Sequence, residues 1–171
     1  MLNWNDKKIV VFENPEDPYN MVMVFPGFYD ETRFNKFPKD TDEALLERTV
    51  ALVVPDGVNH WVLNFTDVPS DHECTASCEF YNAWRWIDGS VKVDMDKAKV
   101  IHMNEIRKAR GNELAKLDVP WIKAQESGDI DEQTRIKAEK ETLRNLPATF
   151  DLTCDTPDEL KQKWPEGLPK E

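Results

Sequence analysis

The sequence predicts an α+β fold in two parts, a small β-rich α+β unit over residues 1–94 and a helical unit over residues 95–171. In the first part, short stretches of alternating apolar and polar residues are separated by turn residues, which is typical of strands and hairpins. In the second part the chain is charged and poor in glycine, and its apolar residues recur at three- and four-residue steps, which is typical of amphipathic helices. We therefore expect an antiparallel helical hairpin with a short capped tail helix after the β-rich unit.

The N-terminal elements follow from apolar runs and the residues that interrupt them. Strands are predicted over 8–12 and 21–25, and the aromatic-rich stretch 28–37 has no clean period and is predicted as a loop. Asp40 followed by Glu43 fits a capping box ahead of a helix over 41–51. A further strand is predicted over 60–65.

A hairpin is predicted around Asp88-Gly89, which is a strong turn signal. Trp84 and Trp86 lie before this turn on one face of a strand, and Val91 and Val93 lie after it on one face. Ser90 leaves the length of the loop open.

The C-terminal part is predicted to begin with a long helix over 96–117, capped by Asp94 or Asp96. Pro120 fits the first position of a short helix that extends to about residue 126. A helix over 130–145 follows, and Leu146-Pro147 is predicted to end it. The apolar stripe of the long helix comprises Val100, Met103, Ile106, Ala109 or Arg110, Leu114 and Leu117.

The last helix has the most specific signal for its start. In Thr156-Pro157-Asp158-Glu159, the threonine fits the N-cap, the proline the first helical position, and the glutamate the third. This short helix presents Leu160 and Trp164, and Pro165 ends it.

The charge balance argues against two classes of partner. The net charge is −11 and the pI is about 4.8, so nucleic acid and anionic membrane surfaces are disfavoured. Mean hydropathy is −0.65 and no apolar run is long enough to span a bilayer. The first residues show no basic segment followed by an apolar core, so we expect a protein that stays in the cytoplasm.

No pattern in the sequence predicts a catalytic residue, a cofactor or a metal site. The motifs G-x-S-x-G, G-x-G-x-x-G and G-x-x-x-x-G-K-[ST] do not occur. The nearest candidates are His72, Cys74 and Cys78, which fall short of the four ligands of a structural zinc site. A small metal-dependent or thiol enzyme at these residues is kept as the least favoured alternative.

Arg107, Lys108 and Arg110 form a short basic run in an otherwise acidic chain. Ion pairing with the nearby Glu105 and Glu113 is one interpretation. Docking of an acidic partner is the other.

The tryptophans Trp84, Trp86, Trp121 and Trp164 have two possible roles, because tryptophan is enriched both in binding hot spots and in small cores. The core is favoured for Trp84 or Trp86. His102 is predicted to flank the apolar stripe of the long helix or to be exposed.

From about Trp84 onward, the sequence resembles the tail-fibre assembly and tail assembly chaperone proteins of tailed bacteriophages. An aromatic hairpin (AWRWIDGSVKVD) is followed by the element I-R-x-x-R-x-x-x-L-x-x-x-D, matched by Ile106, Arg107, Arg110, Leu114 and Asp118. An R-x-x-P element is matched by Arg144 and Pro147, and a closing W-P by Trp164 and Pro165. The chain departs from many members at Val119-Pro120-Trp121, where these carry Asp-Trp.

The resemblance implies a protein that assists the folding or trimerisation of tail fibres by protein–protein binding, without chemistry. The expected partner is a phage tail fibre or another tail protein, with a second copy of the chain as a further candidate. The expected location is the host cytoplasm during assembly, and a structural component retained in the virion is the alternative. Six residues are expected to bind the partner: Ile106, Arg107, Arg110, Leu114, Trp121 and Trp164.

Overall fold

The computed structural model describes residues 8–17, 21–24, 42–69 and 79–170. Strands come first and helices follow, which confirms the α+β class. The chain divides into two compact units, Met1–Asp94 and Met95–Glu171. The predicted aromatic-rich loop over 28–37 and the predicted cap at Asp40 lie outside the described residues.

A three-stranded antiparallel sheet forms the first unit's framework. Its strands are β1 (Lys8–Glu13), β2 (Met21–Val24) and β3 (His60–Asn64), in the order β2-β1-β3. Strand β1 is central in the sheet, and Ile9, Val10, Val11 and Phe12 are all buried, so both faces of this strand are covered. A run of four consecutive apolar residues is what such a strand requires.

Helix α1 (Asp42–Val53) contacts β1, and it extends two residues beyond its predicted end. The second, two-stranded sheet is the predicted hairpin of β4 (Trp84–Ile87) and β5 (Ser90–Val93). Asp88 and Gly89 both have positive φ, 50° and 80°, as a two-residue turn of the hairpin type needs. Ser90 therefore belongs to β5.

The tryptophans of β4 belong to the core of the first unit. Trp84 pairs with Val93 and Trp86 with Val91, so all four side chains lie on one face of the hairpin. The sequence left open which tryptophan shares a face with the valines, and the structure shows that both do. Trp84 is fully buried, whereas Trp86 is partly buried and stacks on Trp61 with ring centroids 4.1 Å apart. The core was predicted for one of the two tryptophans, and the structure places Trp84 in the core with Trp86 packed against it.

Four helices form the second unit: α2 (Met95–Lys116), α3 (Asp118–Ser127), α4 (Ile130–Thr149) and α5 (Pro157–Gln162). Helix α4 contacts both α2 and α3, and α5 contacts α2. Gly128 has a positive φ of 71° and ends α3, and Asp129 then caps α4 by accepting a hydrogen bond from the Glu132 amide. None of the described helices is long and apolar enough to cross a membrane.

The predicted stripe of α2 was partly wrong. The buried residues are Ala98, His102, Ile106 and Ala109, while Val100 is 58% exposed. The two stripes share Ile106 and Ala109, the latter predicted as one of two candidates, and they diverge toward the start of the helix. His102, predicted to flank the stripe or be exposed, is fully buried, and its Nε2 donates to the carbonyl oxygen of Lys163 at 2.6 Å.

Pro147 does not end α4 where predicted. The helix continues to Thr149, although proline has no N–H to donate to the carbonyl of Leu143. Leu143, Leu146 and Phe150 all pack against the core cluster that contains Ile106, and the Phe150 amide donates to Leu146 at 2.9 Å. Packing of this last turn therefore outweighs the missing hydrogen bond.

Pro120 occupies the third position of α3 and not the first, because the helix begins at Asp118. No intrahelical hydrogen bond is lost there, since the first amides of a helix have no partner within it. The predicted start of the last helix is confirmed, with Thr156 as N-cap, Pro157 as first residue and a hydrogen bond from the Glu159 amide to the Thr156 hydroxyl.

Candidate partner-binding surface

One flank of α2 carries three of the six residues expected to bind a partner. Arg107, Arg110 and Leu114 are spaced by three and four residues, so their side chains project from neighbouring positions on one side of the helix. Arg107 is exposed, and Arg110 and Leu114 are partly buried. We name these three residues the Arg flank.

Ile106 does not belong to that surface. It has no exposed area and lies in a core cluster with Ala109 and Leu168. Its position on the helix, directly before Arg107, turns its side chain inward. The expectation that Ile106 contacts a partner is therefore corrected, since its role is to pack α2 against the rest of the unit.

The two arginines of the Arg flank differ in their hydrogen bonding. Arg107 donates to the side-chain oxygen of Asn104 at 3.0 Å, which is a neutral partner. The Nε atom of Arg110 is buried and meets no hydrogen-bond acceptor among the described residues. Within the same described part, neither arginine is ion-paired to a carboxylate. The exposed guanidinium of Arg107 can therefore donate hydrogen bonds to a carboxylate from outside the chain, and Arg110 can do so through the part of its side chain that is not buried.

The neighbouring cations of α2 differ in this respect. Lys116 pairs with Glu113 at 2.6 Å, and Lys108 lies 4.0 Å from Glu105. The alternative interpretation, ion pairing within the helix, thus holds for the lysines and leaves the arginines of the flank available. Exposed pairs of this kind contribute little stability.

Helix α2 is basic in an acidic chain. Residues 95–116 contain six lysines and arginines and three acidic residues, a formal charge of +3. Residues 1–94 contain 8 basic and 17 acidic residues, and residues 95–171 contain 14 and 16. The positive charge of the helical unit is therefore concentrated on one helix.

Trp121 belongs to α3, whereas the Arg flank belongs to α2. Its ring, on α3, faces α4, where the ammonium of Lys140 lies 5.6 Å from the ring centroid. The same ammonium pairs with Asp118 at 2.8 Å and is mostly buried, with 12% of the lysine side chain exposed. Trp121 and Lys140 thus join α3 to α4, a role that depends on residues distant in sequence.

Trp164 is brought to the cluster of Ile106 by the tail. Its ring meets the imidazole of His102 edge-on at 5.7 Å, and its Nε1 donates to the carbonyl of Leu168 at 2.7 Å. The tail thereby closes over α2 with its own hydrogen bonds satisfied. Trp164 is partly buried and packs against the cluster of Ile106.

Sequence reasoning missed a second group of surface residues. Val119 and Ile122 on α3 are 59% and 52% exposed, and Ile130 at the start of α4 is 67% exposed. Apolar residues three apart on a short helix were the available signal. That signal is equally typical of a core, so only the structure could place them outside.

No group of histidine, cysteine and acidic residues that could hold a metal ion occurs within the ranges that the structure describes. His72, Cys74 and Cys78 fall outside those ranges. The third cysteine, Cys154, is buried and unpaired to another cysteine.

No protein-family model matches this chain, and no curated protein or solved structure matches it either.

Proposed function

We propose that this protein is a tail-fibre or tail assembly chaperone of a tailed bacteriophage that acts by protein–protein binding, without chemistry and without a cofactor. The proposal rests on the resemblance in the second half of the chain and on one observation of the surface. That observation is the Arg flank, whose two guanidinium groups make no ion pair within the described part of the chain.

A carboxylate-bearing segment of a fibre or tail protein fits the chemistry of the Arg flank. Guanidinium groups bind carboxylates through two parallel hydrogen bonds, which are among the strongest that side chains make. Leu114 adds an apolar contact beside them. We expect binding in the host cytoplasm while the fibre folds.

The remaining residues of the resemblance support this proposal as scaffold. Ile106 and Trp164 pack in one cluster, and Pro165 is buried. These residues fix α2 relative to α4 and the tail, which holds the two arginines in place. A rigid helix that presents a few charged groups is a suitable binding element.

The direct test is co-purification of this protein with the tail fibre encoded beside it. Arg107→Ala and Arg110→Ala should weaken the complex at unchanged helical content. Lys137→Ala, which removes an exposed cation from α4, is the matched control and should leave the complex intact. Absence of a complex with the unmodified protein, together with normal fibre folding without it, would sink the proposal.

Mass spectrometry of purified virions separates the chaperone from the alternative. A transient chaperone is absent from the particle, whereas a structural tail component is present in stoichiometric amounts. The second result would keep the binding surface but change the function.

A further inference from the structure

Three ion pairs on α2 and α4 share one spacing. Lys108, Lys116 and Arg135 each pair with a glutamate three residues earlier on the same helix. The Arg135 guanidinium donates to both carboxylate oxygens of Glu132 at 2.7 Å, and this hydrogen bonding holds the pKa of Glu132 below its ordinary value. A glutamate three residues before an arginine can therefore both orient the guanidinium and neutralise it.

Arg107 has the same spacing but a neutral partner. Position 104, three residues before it, holds asparagine, and the Asn104 Oδ1 accepts a hydrogen bond from Arg107 Nη1 at 3.0 Å. A guanidinium only donates, so it is the amide oxygen of Asn104 that must face it. Asn104 thus holds Arg107 from the position from which Glu132 holds Arg135, but the bond uses one of the five N–H donors and leaves the positive charge in place.

The stability of α2 does not explain an asparagine at position 104. Asparagine is less favourable than alanine inside a helix, because its side chain competes for backbone hydrogen bonds. Asn104 is exposed and lies in the middle of a 22-residue helix, so it neither caps the helix nor packs in the core. The hydrogen bond that its side chain makes is directed to Arg107.

We propose that Asn104 is a positioning residue of the Arg flank, which orients Arg107 for an incoming carboxylate without neutralising it. This inference rests on the proposed function, because it concerns how the same surface binds its partner. Both side chains are exposed, so the hydrogen bond restricts an arginine that would otherwise sample many rotamers in water. An arginine that is ordered before the partner arrives loses less conformational entropy on binding, and the complex is tighter.

The first test compares side chains at position 104 by the dissociation constant of the complex with the purified tail fibre encoded beside this protein. Asn104→Glu reproduces the arrangement of Glu132 and Arg135, so it should neutralise Arg107 and weaken the complex about tenfold. Asn104→Ala keeps the charge but loses the orientation, and should weaken it about three- to fivefold. Asn104→Gln has the length of glutamate without its charge, and should bind more tightly than either.

Two controls exclude simpler explanations of these changes. Asn145 is an exposed asparagine on α4, so Asn145→Glu adds the same charge to the helical unit and should leave the dissociation constant within about twofold. Asn104→Ala should raise the helical content measured by circular dichroism, since alanine is the better helix former. Weaker binding by this variant therefore cannot come from unfolding of α2.

The second readout follows Arg107 itself, in the protein without its partner. Nitrogen-15 NMR relaxation of the Arg107 Nε–H group reports side-chain motion on the ps–ns timescale. Asn104→Ala should increase this motion, and Asn104→Gln should restore the order. The Nε–H group of Arg135, held by Glu132, is the internal control and should not change. A merely structural role of Asn104 in α2 would not alter this signal selectively.

The outcomes separate this inference from the proposed function. If the unmodified protein forms no complex, or if Arg107→Ala does not weaken it, the Arg flank is not the binding surface and both are wrong. If Arg107→Ala weakens the complex but Asn104→Glu and Asn104→Gln bind equally well, only the role of Asn104 is refuted. Unchanged motion of Arg107 in Asn104→Ala refutes that role as well.

Discussion

Replacing Trp84 by alanine tests the assignment of the β4–β5 hairpin to the core of the first unit. Trp84 is 1% exposed and packs with Ile9, Val11 and Val91. A buried tryptophan removes about 150–250 Å² from water, which at about 25 cal/mol per Å² corresponds to about 4–6 kcal/mol. The methyl group of alanine still buries part of this area, so we expect Trp84→Ala to lower the free energy of unfolding by about 3–5 kcal/mol.

Trp86 supplies the comparison within the same strand. It is partly buried and stacks on Trp61, so its replacement by alanine removes one aromatic contact and less buried area. We expect a loss of about half that of Trp84→Ala, or about 2 kcal/mol. Both variants keep the register of the hairpin, which depends on the Asp88-Gly89 turn.

The assay must report on the first unit alone, because a chain of two units need not unfold in one step. Hydrogen exchange followed by mass spectrometry in increasing urea gives the stability of peptides from β1 and from the hairpin. Peptides from α2 should remain unchanged and serve as the internal control. A cost for Trp86→Ala that equals or exceeds that for Trp84→Ala would refute the burial order on which the estimate depends.

The variant Trp84→Phe separates the effect of the buried ring area from the effect of the buried indole N–H. The indole Nε1 of Trp84 is buried and meets no acceptor among the residues described by the structure. Phenylalanine removes this unsatisfied donor, whose burial costs about 1–3 kcal/mol, and loses part of the ring area. The two effects oppose each other, so Trp84→Phe should cost far less than Trp84→Ala. An equal cost for both variants would contradict the reasoning that buried ring area carries the stability of this site.

Three further predictions concern the second unit. His102→Ala should cost about 2–3 kcal/mol and raise hydrogen exchange in the tail, because it leaves a cavity and removes the hydrogen bond to Lys163. Thr156→Ala should cost about 1 kcal/mol of stability in chemical denaturation, by loss of the N-cap of α5. The pKa of Asp151 is lowered by hydrogen bonds from Thr153 and by Lys163, so its stabilising effect is present above the ordinary carboxyl pKa and is lost as the pH falls through the lowered value. Asp151→Asn should therefore flatten the acid side of a plot of unfolding temperature against pH.

The elements with strong local signals could be predicted from the sequence. The hairpin depends on Asp88-Gly89 and on alternation, and the last helix on Thr156-Pro157 and Glu159, all of which act over a few residues. Such signals are sufficient because their physical cause is local. The hairpin turn needs residues that adopt a positive φ, and the start of the last helix needs a side chain that satisfies a free amide.

The predictions for His102 and Pro147 were wrong because the residues that decide their environment are not visible in the local sequence pattern. The burial of His102 is tolerated because the carbonyl of Lys163, 61 residues away in sequence, accepts a hydrogen bond from its Nε2. Pro147 is tolerated because Leu146 and Phe150 pack on α2. Neither partner is visible in the local pattern, and an imidazole and a proline both argue for the opposite outcome when read alone.

The residues of the candidate partner-binding surface could be named from the sequence, but their ion pairing could not. Arg107 and Arg110 were singled out by charge, and their availability depends on which carboxylates the fold brings near them. Helix α2 supplies Glu105 and Glu113, which pair with lysines instead. Ile106 was included with the arginines because all three belong to the I-R-x-x-R element, but one step along a helix places Ile106 about 100° away from Arg107.

The charge distribution constrains how an acidic partner could reach the Arg flank. The whole chain carries −11 and therefore repels an acidic partner at long range, while α2 carries +3. Attraction by the flank then acts only at close approach, within about one Debye length of 8–10 Å. Added salt screens the long-range repulsion before it weakens two guanidinium–carboxylate contacts, so association with an acidic fibre segment should speed up at moderate ionic strength. A basic partner would behave in the opposite way, with association slowing steadily as salt is added, and would place its contact on the acidic first unit and not on α2.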